Sequence, residues 1–282
     1  MTTENNQKIT LSRELLIYIP AYNCAKYIAG VLDEIPDELL QLAEVVSIDN
    51  RSTDDTVERI KQAMSAKSWA APVHLVQPPE NLGYSGSQKL AYSIVLDSPC
   101  VKRVIMLHGD GQYPPELLEE FLPYLGSEYG IAYGFRDKSS YPTKEETPAG
   151  TYRIIKMLSA LESFATGHGR KEWHSGFVMY SRDFLSRVKL HQLTDTYHFD
   201  GHMQFVSGEL GEKVKAIPIW KRYKNYEQLK GLNRLTYIFH VLRLMVLFRI
   251  MGSGQSDDED GSIPLEYSIL AMAGGSTDEA NQ

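Results

Sequence analysis

Short apolar runs and longer amphipathic segments alternate along the first half of the chain. Glu14–Pro20, Val45–Asp49, Val73–Gln77, Arg103–Leu107 and Gly130–Gly134 read as strands, each a compact run of branched or large apolar residues. Residues 25–35, 54–67, 85–96 and 114–125 read as the helices between or after them. The last of these carries Pro114 in its first turn and Glu116 near its positive end, both favourable there. Further on, 152–166 and 201–210 read as helices, 176–180 and 214–219 as strands, and the polar, proline-bearing stretch 136–150 as a mobile loop.

Strands this apolar are buried on both faces, and strands alternating with helices form a mostly parallel, doubly wound sheet. The fold class expected is α/β, a mixed central sheet flanked by helices. Right-handed crossovers place the carboxyl ends of the parallel strands on one edge, where ligands bind. The organisation expected is a flexible N-terminus over 1–12, one domain over 13–225, an amphipathic helix over 226–252 and a largely disordered acidic tail over 253–282. In that helix Leu232, Leu235, Ile238, Phe239, Leu242, Met245 and Val246 recur at helical spacing, with Arg234, Arg243 and Arg249 interspersed. Packing on the core is its first reading and an interfacial membrane helix its alternative.

Composition narrows the function classes. The 282 residues are 43% apolar and 23% charged, as in an ordinary globular protein, and the net charge of −7 argues against a nucleic-acid partner. Cys24 and Cys100 give neither a disulfide framework nor a zinc spacing, so a reducing, cytoplasmic setting is expected. The polar start lacks a signal-peptide core, and no run of about 18 apolar residues would span a bilayer. Neither a P-loop nor a Gly-x-Gly-x-x-Gly turn is present, which counts against an ATPase or a dinucleotide oxidoreductase.

Polar clusters follow three of the strands: Pro20-Ala21-Tyr22-Asn23, Asp49-Asn50-Arg51-Ser52-Thr53-Asp54 and His108-Gly109-Asp110-Gly111-Gln112. Each alone is explained by turn and capping chemistry. Together they bring Asp49, Asp54 and Asp110 to one sheet edge, and crowded carboxylates repel unless a cation or donors compensate. A divalent cation would resolve this, bound by Asp110 and, if its imidazole ligates, by His108. His108 serves equally as a neutral hydrogen-bonding group. Lys89, at the end of a small-residue segment leading into a helix, is a candidate for phosphate.

Four segments occur in a telling order: Ile19-Pro-Ala-Tyr-Asn23, Asp49-x-x-Ser-Thr-Asp-Asp-Thr56, Asn81-Leu-Gly-Tyr-x-Gly-x-Gln-Lys89 and His108-Gly-Asp-Gly-Gln-Tyr-Pro-Pro-Glu116. Trp173-His-Ser-Gly-Phe177 and Tyr197-His-Phe-Asp200 follow. The series resembles that of family 2 glycosyltransferases over roughly residues 14–220. The resemblance implies a GT-A fold and an inverting hexosyl transfer from a UDP- or GDP-sugar, with Mn²⁺ or Mg²⁺. It implies that Pro20, Ala21, Tyr22 and Asn23 hold the nucleotide, with Asp49 or Asn50 on the base and Lys89 and Gly109 at the phosphates. It places Asp110 and His108 at the metal, His174, Ser175 and Gly176 along the sugar pocket, and Asp200 or His202 as the general base. The family's D-x-D element is His108-Gly109-Asp110 here, with one carboxylate retained.

Two readings of single features remain open at this stage. Asp200 serves either as base or as helix N-cap. The basic stretch Lys221, Arg222, Tyr223, Lys224 either clamps a phosphate, Arg222 foremost, or guards a strand edge. The partners expected are a nucleotide-sugar donor and a glycan or lipid-phosphate acceptor of the cell envelope, met in the cytoplasm or peripherally at the inner membrane face. A sugar-phosphate nucleotidyltransferase and a catalytically silent nucleotide-sugar binder are the competing functions.

Overall fold

The computed structural model describes residues 8–66, 68–223, 231–255, 261, 263 and 266–274. Its centre is an eight-stranded sheet of order β7-β5-β6-β4-β1-β2-β3-β8. These strands are β1 (Leu15–Ala21), β2 (Ala43–Asp49), β3 (Val73–Gln77), β4 (Arg103–Met106), β5 (Ile131–Arg136), β6 (Val178–Ser181), β7 (Val214–Ile219) and β8 (Ser268–Ala273). β1 pairs in parallel with β2 and β4, and β2 with β3. β6 runs antiparallel between β4 and β5, β7 is parallel to β5, and β8 closes the far edge antiparallel to β3. The sheet is therefore mixed, with a parallel centre.

Alternation along β1 explains the two-sided core. Leu15, Ile17 and Ile19 face one apolar cluster, with helix α1 (Ile28–Asp33) and helix α3 (Thr56–Ala66) packed on it. Leu16 and Tyr18 face the other, under α4 (Gly83–Asp97). A strand with apolar residues at every position has nowhere to put a solvent face, so it must sit centrally. β1 runs through Pro20 to Ala21 rather than stopping at the proline.

Several elements differ from expectation. The helix expected over 25–35 is the short α1, followed after Pro36 by a second helix, α2 (Asp37–Leu42). The segment 115–124 winds as a 3-10 helix, with Pro123 inside it. The stretch expected as a mobile loop is instead built. Asp137 accepts from the Ser139 and Ser140 hydroxyls at 2.6 and 2.8 Å, Lys138 reaches the Thr147 carbonyl at 2.8 Å, and Glu145 and Glu146 accept from the Lys221 and Tyr223 amides. Polar composition signalled loop, and the side chains then supplied the bonds that fix it.

The chain continues through α5 (Ala149–Thr166), α6 (Arg182–Arg187), α7 (Phe199–Glu209) and α8 (Gly231–Met251). α8 packs on α5, yet Leu235, Phe239, Leu242, Val246 and Ile250 are exposed, as are Met157 and Phe164 of α5. No described helix is long and apolar enough to cross a membrane. The tail expected to be disordered supplies β8, and the buried Tyr267 hydroxyl before it accepts the Ile9 amide at 3.1 Å. The acidic run 256–260, Lys224 and residues 226–230 lie outside the described residues. Cys24 and Cys100 are both free thiols.

Candidate active site

β1 and β4 are neighbours in the sheet, but the chain visits β2 and β3 between them, on the other side of β1. The strand order thus reverses at β1/β4, and the crevice beyond their carboxyl ends is where ligands of open α/β sheets bind. The two turns that flank it are in direct contact. The Gly109 amide donates to the Pro20 carbonyl at 3.2 Å. A Cβ at 109 would lie 2.9 Å from that oxygen and 3.0 Å from Ile28 Cδ1, so only glycine fits between them.

On the β1–β2 side, Asp49 is wholly buried at the end of its strand. Its Oδ2 accepts from Gln77 Nε2 at 2.6 Å and from the Ser52 amide at 3.2 Å, while Oδ1 has no donor. A buried acceptor without a partner costs about 1–3 kcal/mol, and a ligand N–H would recover it. Asn23 and Arg51 hold left-handed backbone (φ 48° and 63°) and form the adjacent turns. The Asn23 amide donates to Ser52 Oγ at 2.9 Å and its Oδ1 accepts from the Thr53 amide at 2.8 Å, which locks the two turns together. Tyr22 stands on the rim, 52% exposed. Asp54 is turned to the start of α3, where it accepts from the Thr56 amide at 3.0 Å. Its part is the turn chemistry, not a shared metal.

Across the crevice, Asp110 uses Oδ1 to accept the Gln112 amide at 3.0 Å, shaping its own turn. The His108 ring sits between Tyr84 and Tyr113, with Nε2 3.2 Å from the Gly176 carbonyl. A carbonyl can only accept, so Nε2 carries the hydrogen. Burial and the Lys221 ammonium hold the ring below the usual imidazole pKa against the pull of Asp110, so His108 is neutral and Nδ1 keeps its lone pair. That is the arrangement of metal-ligating histidines, which donate their other nitrogen to a fixed acceptor. A Cβ on Gly176 would lie 2.6 Å from His108 Nε2 and 2.8 Å from the Tyr84 hydroxyl, so the glycine is what lets three segments meet.

The Tyr84 hydroxyl donates to Asp200 Oδ2 at 2.6 Å, while Oδ1 is buried without a donor. Burial raises the Asp200 pKa to about 7, against the Tyr84 bond that favours the anion. The N-cap of α7 is His198, so Asp200 stands inside the first turn and is not the cap. A carboxyl poised near 7 beside a cleft is a general-base candidate.

Six expected site residues are committed elsewhere. Asn50 spends its amide on the 81–83 turn, donating to Asn81 Oδ1 and the Gly83 carbonyl, each at 3.0 Å, and accepting the Leu82 amide at 2.8 Å. Lys89 lies past the first turn of α4 and reaches the Leu193 carbonyl (2.8 Å) and Asp195 (2.6 Å). His202 uses both nitrogens, accepting the Thr194 amide at Nδ1 and donating to the Ser253 carbonyl at Nε2, so it is no base. The His174 ring is buried against Glu162 and Tyr237 rather than lining a pocket. Ser175 is buried, and its hydroxyl accepts the Phe177 amide at 3.4 Å. Arg222 pairs with Glu34 at 3.0 Å.

Two residues of the cleft were not singled out from sequence. Tyr84 lies inside the Asn81–Lys89 segment and sets an aromatic hydroxyl in the first turn of α4. Lys221 was named only as part of a basic run. Its ammonium stands 4.3 Å above the Tyr113 ring, close enough to Asp110 to feel its charge. Burial works against that charge, and Tyr113, Tyr223 and Asp110 more than offset it, so its pKa is raised.

Comparisons with known proteins bear on the family and the fold. The family described as Glycosyl transferase family 2 matches residues 16–189. An uncharacterized protein of Methanocaldococcus jannaschii is 23% identical over 258 residues, covering 89% of this chain and 98% of its own. Among solved structures, glucosyl-3-phosphoglycerate synthase from Mycobacterium tuberculosis with Mn²⁺, UDP and phosphoglyceric acid superposes with a TM-score of 0.61 at 16% identity, covering 90% of this chain and 89% of that one. The same synthase with Mg²⁺ and UDP gives 0.59 at 18% identity, covering 93% and 90%. At such identities the likeness is one of fold.

Proposed function

The chain belongs to glycosyl transferase family 2, and from that premise we propose that it transfers a sugar from a UDP-sugar to a hydroxyl of a glycan acceptor presented at a membrane surface. The fold is the GT-A type, and the likeness to a synthase solved with UDP-glucose and Mn²⁺ supports the donor class. The observation that carries the reading is the convergence of Tyr84, His108, Gly176 and Asp200 beside the β1/β4 crevice. A catalytically silent binder would have no need of a buried carboxyl with a pKa of about 7.

Each residue has a part in this proposal. Asp49 Oδ1 accepts the base N–H. The backbone of Pro20, Ala21 and Tyr22 lies along the nucleoside, and Asn23 holds that turn. Asp110 and His108 hold a divalent cation, and one carboxylate with one neutral imidazole suits Mn²⁺ as well as Mg²⁺. When bound, the cation offsets charge developing on the departing diphosphate. Lys221, not Arg222, is the protein cation placed to share that task. Asp200 takes the acceptor hydroxyl's proton on Oδ1 while Tyr84 fixes Oδ2, and attack from that side inverts the anomeric centre.

The hydroxyl nucleophile follows from Asp200, because an ionised phosphate needs no base. The membrane surface follows from the exposed apolar residues of α5 and α8, flanked by exposed Arg153, Arg243 and Arg249. The deciding experiment pairs calorimetry with a transfer assay. Wild-type chain is expected to bind UDP in the presence of Mn²⁺, and Asp110→Asn to weaken that binding at least tenfold. Unchanged metal-dependent affinity in the variant overturns the site. Transfer to polyprenyl phosphate but to no hydroxyl acceptor overturns the role given to Asp200.

A further inference from the structure

Behind the cleft, Glu162 of α5, His174 before β6 and His198 at the start of α7 point their heteroatoms at one another. His174 Nε2 lies 2.9 Å from Glu162 Oε2, and His198 Nε2 lies 2.9 Å from Oε1. One ligand-capable atom from each residue falls within 4.8 Å of the other two. The Glu162 and His198 side chains are 0% and 1% exposed and that of His174 is 3% exposed. Despite the short distances, none of these four atoms meets hydrogen-bond geometry. Atoms that converge on a point without aiming hydrogens at each other are arranged as ligands around a centre.

The other side of the imidazoles leads to the same conclusion. The Tyr237 hydroxyl oxygen of α8 is 2.7 Å from His174 Nδ1 and 3.4 Å from His198 Nδ1. A phenol has one hydrogen and two lone pairs. Donating to one Nδ1, it can still accept from the other, and that second ring then turns a bare Nε2 toward Glu162. Accepting, it can serve both, provided both rings carry their hydrogen on Nδ1. That tautomer bares both Nε2 lone pairs toward Glu162, where three lone-pair donors would face one another in a dry interior. A cation between them removes the conflict, and Tyr237 becomes the outer partner that fixes both ligating rings. The Glu162 carboxylate, held out of water between the two rings, is itself an anion that a divalent cation compensates.

We propose that Glu162, His174 and His198 form a buried site for a divalent cation of the zinc class, separate from the ligands assigned to the sugar nucleotide. Two imidazole nitrogens and one carboxylate are a ligand set suited to Zn²⁺ in tetrahedral geometry, the fourth position going to water. The cation ties α5, the segment before β6 and the first turn of α7 together. Asp200 is two residues beyond His198, so the site sets the position of the base without touching substrate.

The test uses the full, untagged, metal-stripped chain carrying Asp110→Asn, so that the nucleotide-linked cation does not contribute. Titration with Co²⁺ is expected to give an intense tetrahedral ligand-field spectrum saturating at a single equivalent, and Zn²⁺ is expected to displace it. Adding Glu162→Gln or His198→Gln is expected to abolish the spectrum and the accompanying rise in Tm. X-ray absorption of the Zn²⁺-loaded Asp110→Asn chain reads the ligands without altering the cluster, and two imidazoles with oxygen ligands and no sulfur are expected. Absence of cobalt bands, their persistence in both cluster variants, or a zinc spectrum lacking imidazole scattering would each overturn the proposal. Because Asp110 is already replaced, these outcomes bear on the cluster and not on UDP binding.

Discussion

Asp200 is held almost wholly out of water, and the consequences run in two directions. Its pKa in the folded chain is about 7 against 3.8 for the free side chain. The folded state therefore keeps a proton that the unfolded chain releases near pH 4, and stability falls as pH rises between those values. Asp200→Asn is expected to be more stable than wild type at pH 8, by up to about 4 kcal/mol, with little difference near pH 3.5. Denaturant titrations at the two pH values check this. The same group predicts catalysis: kcat/KM of the wild type is expected to fall about tenfold per pH unit below 7. Asp200→Asn is expected to lose transfer to hydroxyl acceptors while keeping UDP binding, which calorimetry reads separately. Gly176 shows the opposite kind of necessity, a missing atom. Gly176→Ala puts a methyl 2.6 Å from His108 Nε2. A loss of about 1–3 kcal/mol in stability and at least tenfold in kcat/KM is expected from denaturation and initial-rate measurements.

At the scale of elements, β8 is the piece that composition concealed. Beyond the outer edge of β3, Leu270, Ala271 and Ala273 pack against one core cluster, and Tyr267 is buried in the other. Without this strand β3 would be an open, apolar edge of the kind that invites association between chains. A chain ending before Glu266 is expected to lose roughly 2–4 kcal/mol and to aggregate on mild heating, read by calorimetry with light scattering. The segment over 137–148 makes a similar point in reverse. Its polar residues announce irregular backbone, but their hydrogen bonds to one another and to 221–223 make it a fixed wall that carries Lys221 to the Asp110 turn.

At the scale of the molecule, no described residue covers the α5/α8 face, where Phe164 is 89% and Phe239 63% exposed. Exposed apolar surface on this scale marks an interaction site. Co-sedimentation with anionic vesicles is expected, and the pair Phe239→Glu with Val246→Glu is expected to weaken it at least tenfold without changing UDP affinity. Equal sedimentation of wild type and variant would remove the membrane from the functional reading.

Hydropathy period, turn chemistry and motif order determined the first seven strands, the parallel centre of the sheet and the three polar turns that meet at its edge. These are local properties: a run such as Leu15–Ala21 is apolar on both faces whatever surrounds it, and Gly109 and Asp110 follow their strand by chain connectivity alone. What the local pattern could not decide is which side chains still have a free valence after folding. Asn50, Lys89, His174 and His202 have the right chemistry at the right place in the chain, yet partners distant in sequence claim them. Asp49 and Asp200 each keep an oxygen without a donor. Tertiary structure alone decided that difference, because a side chain's availability depends on every group packed around it.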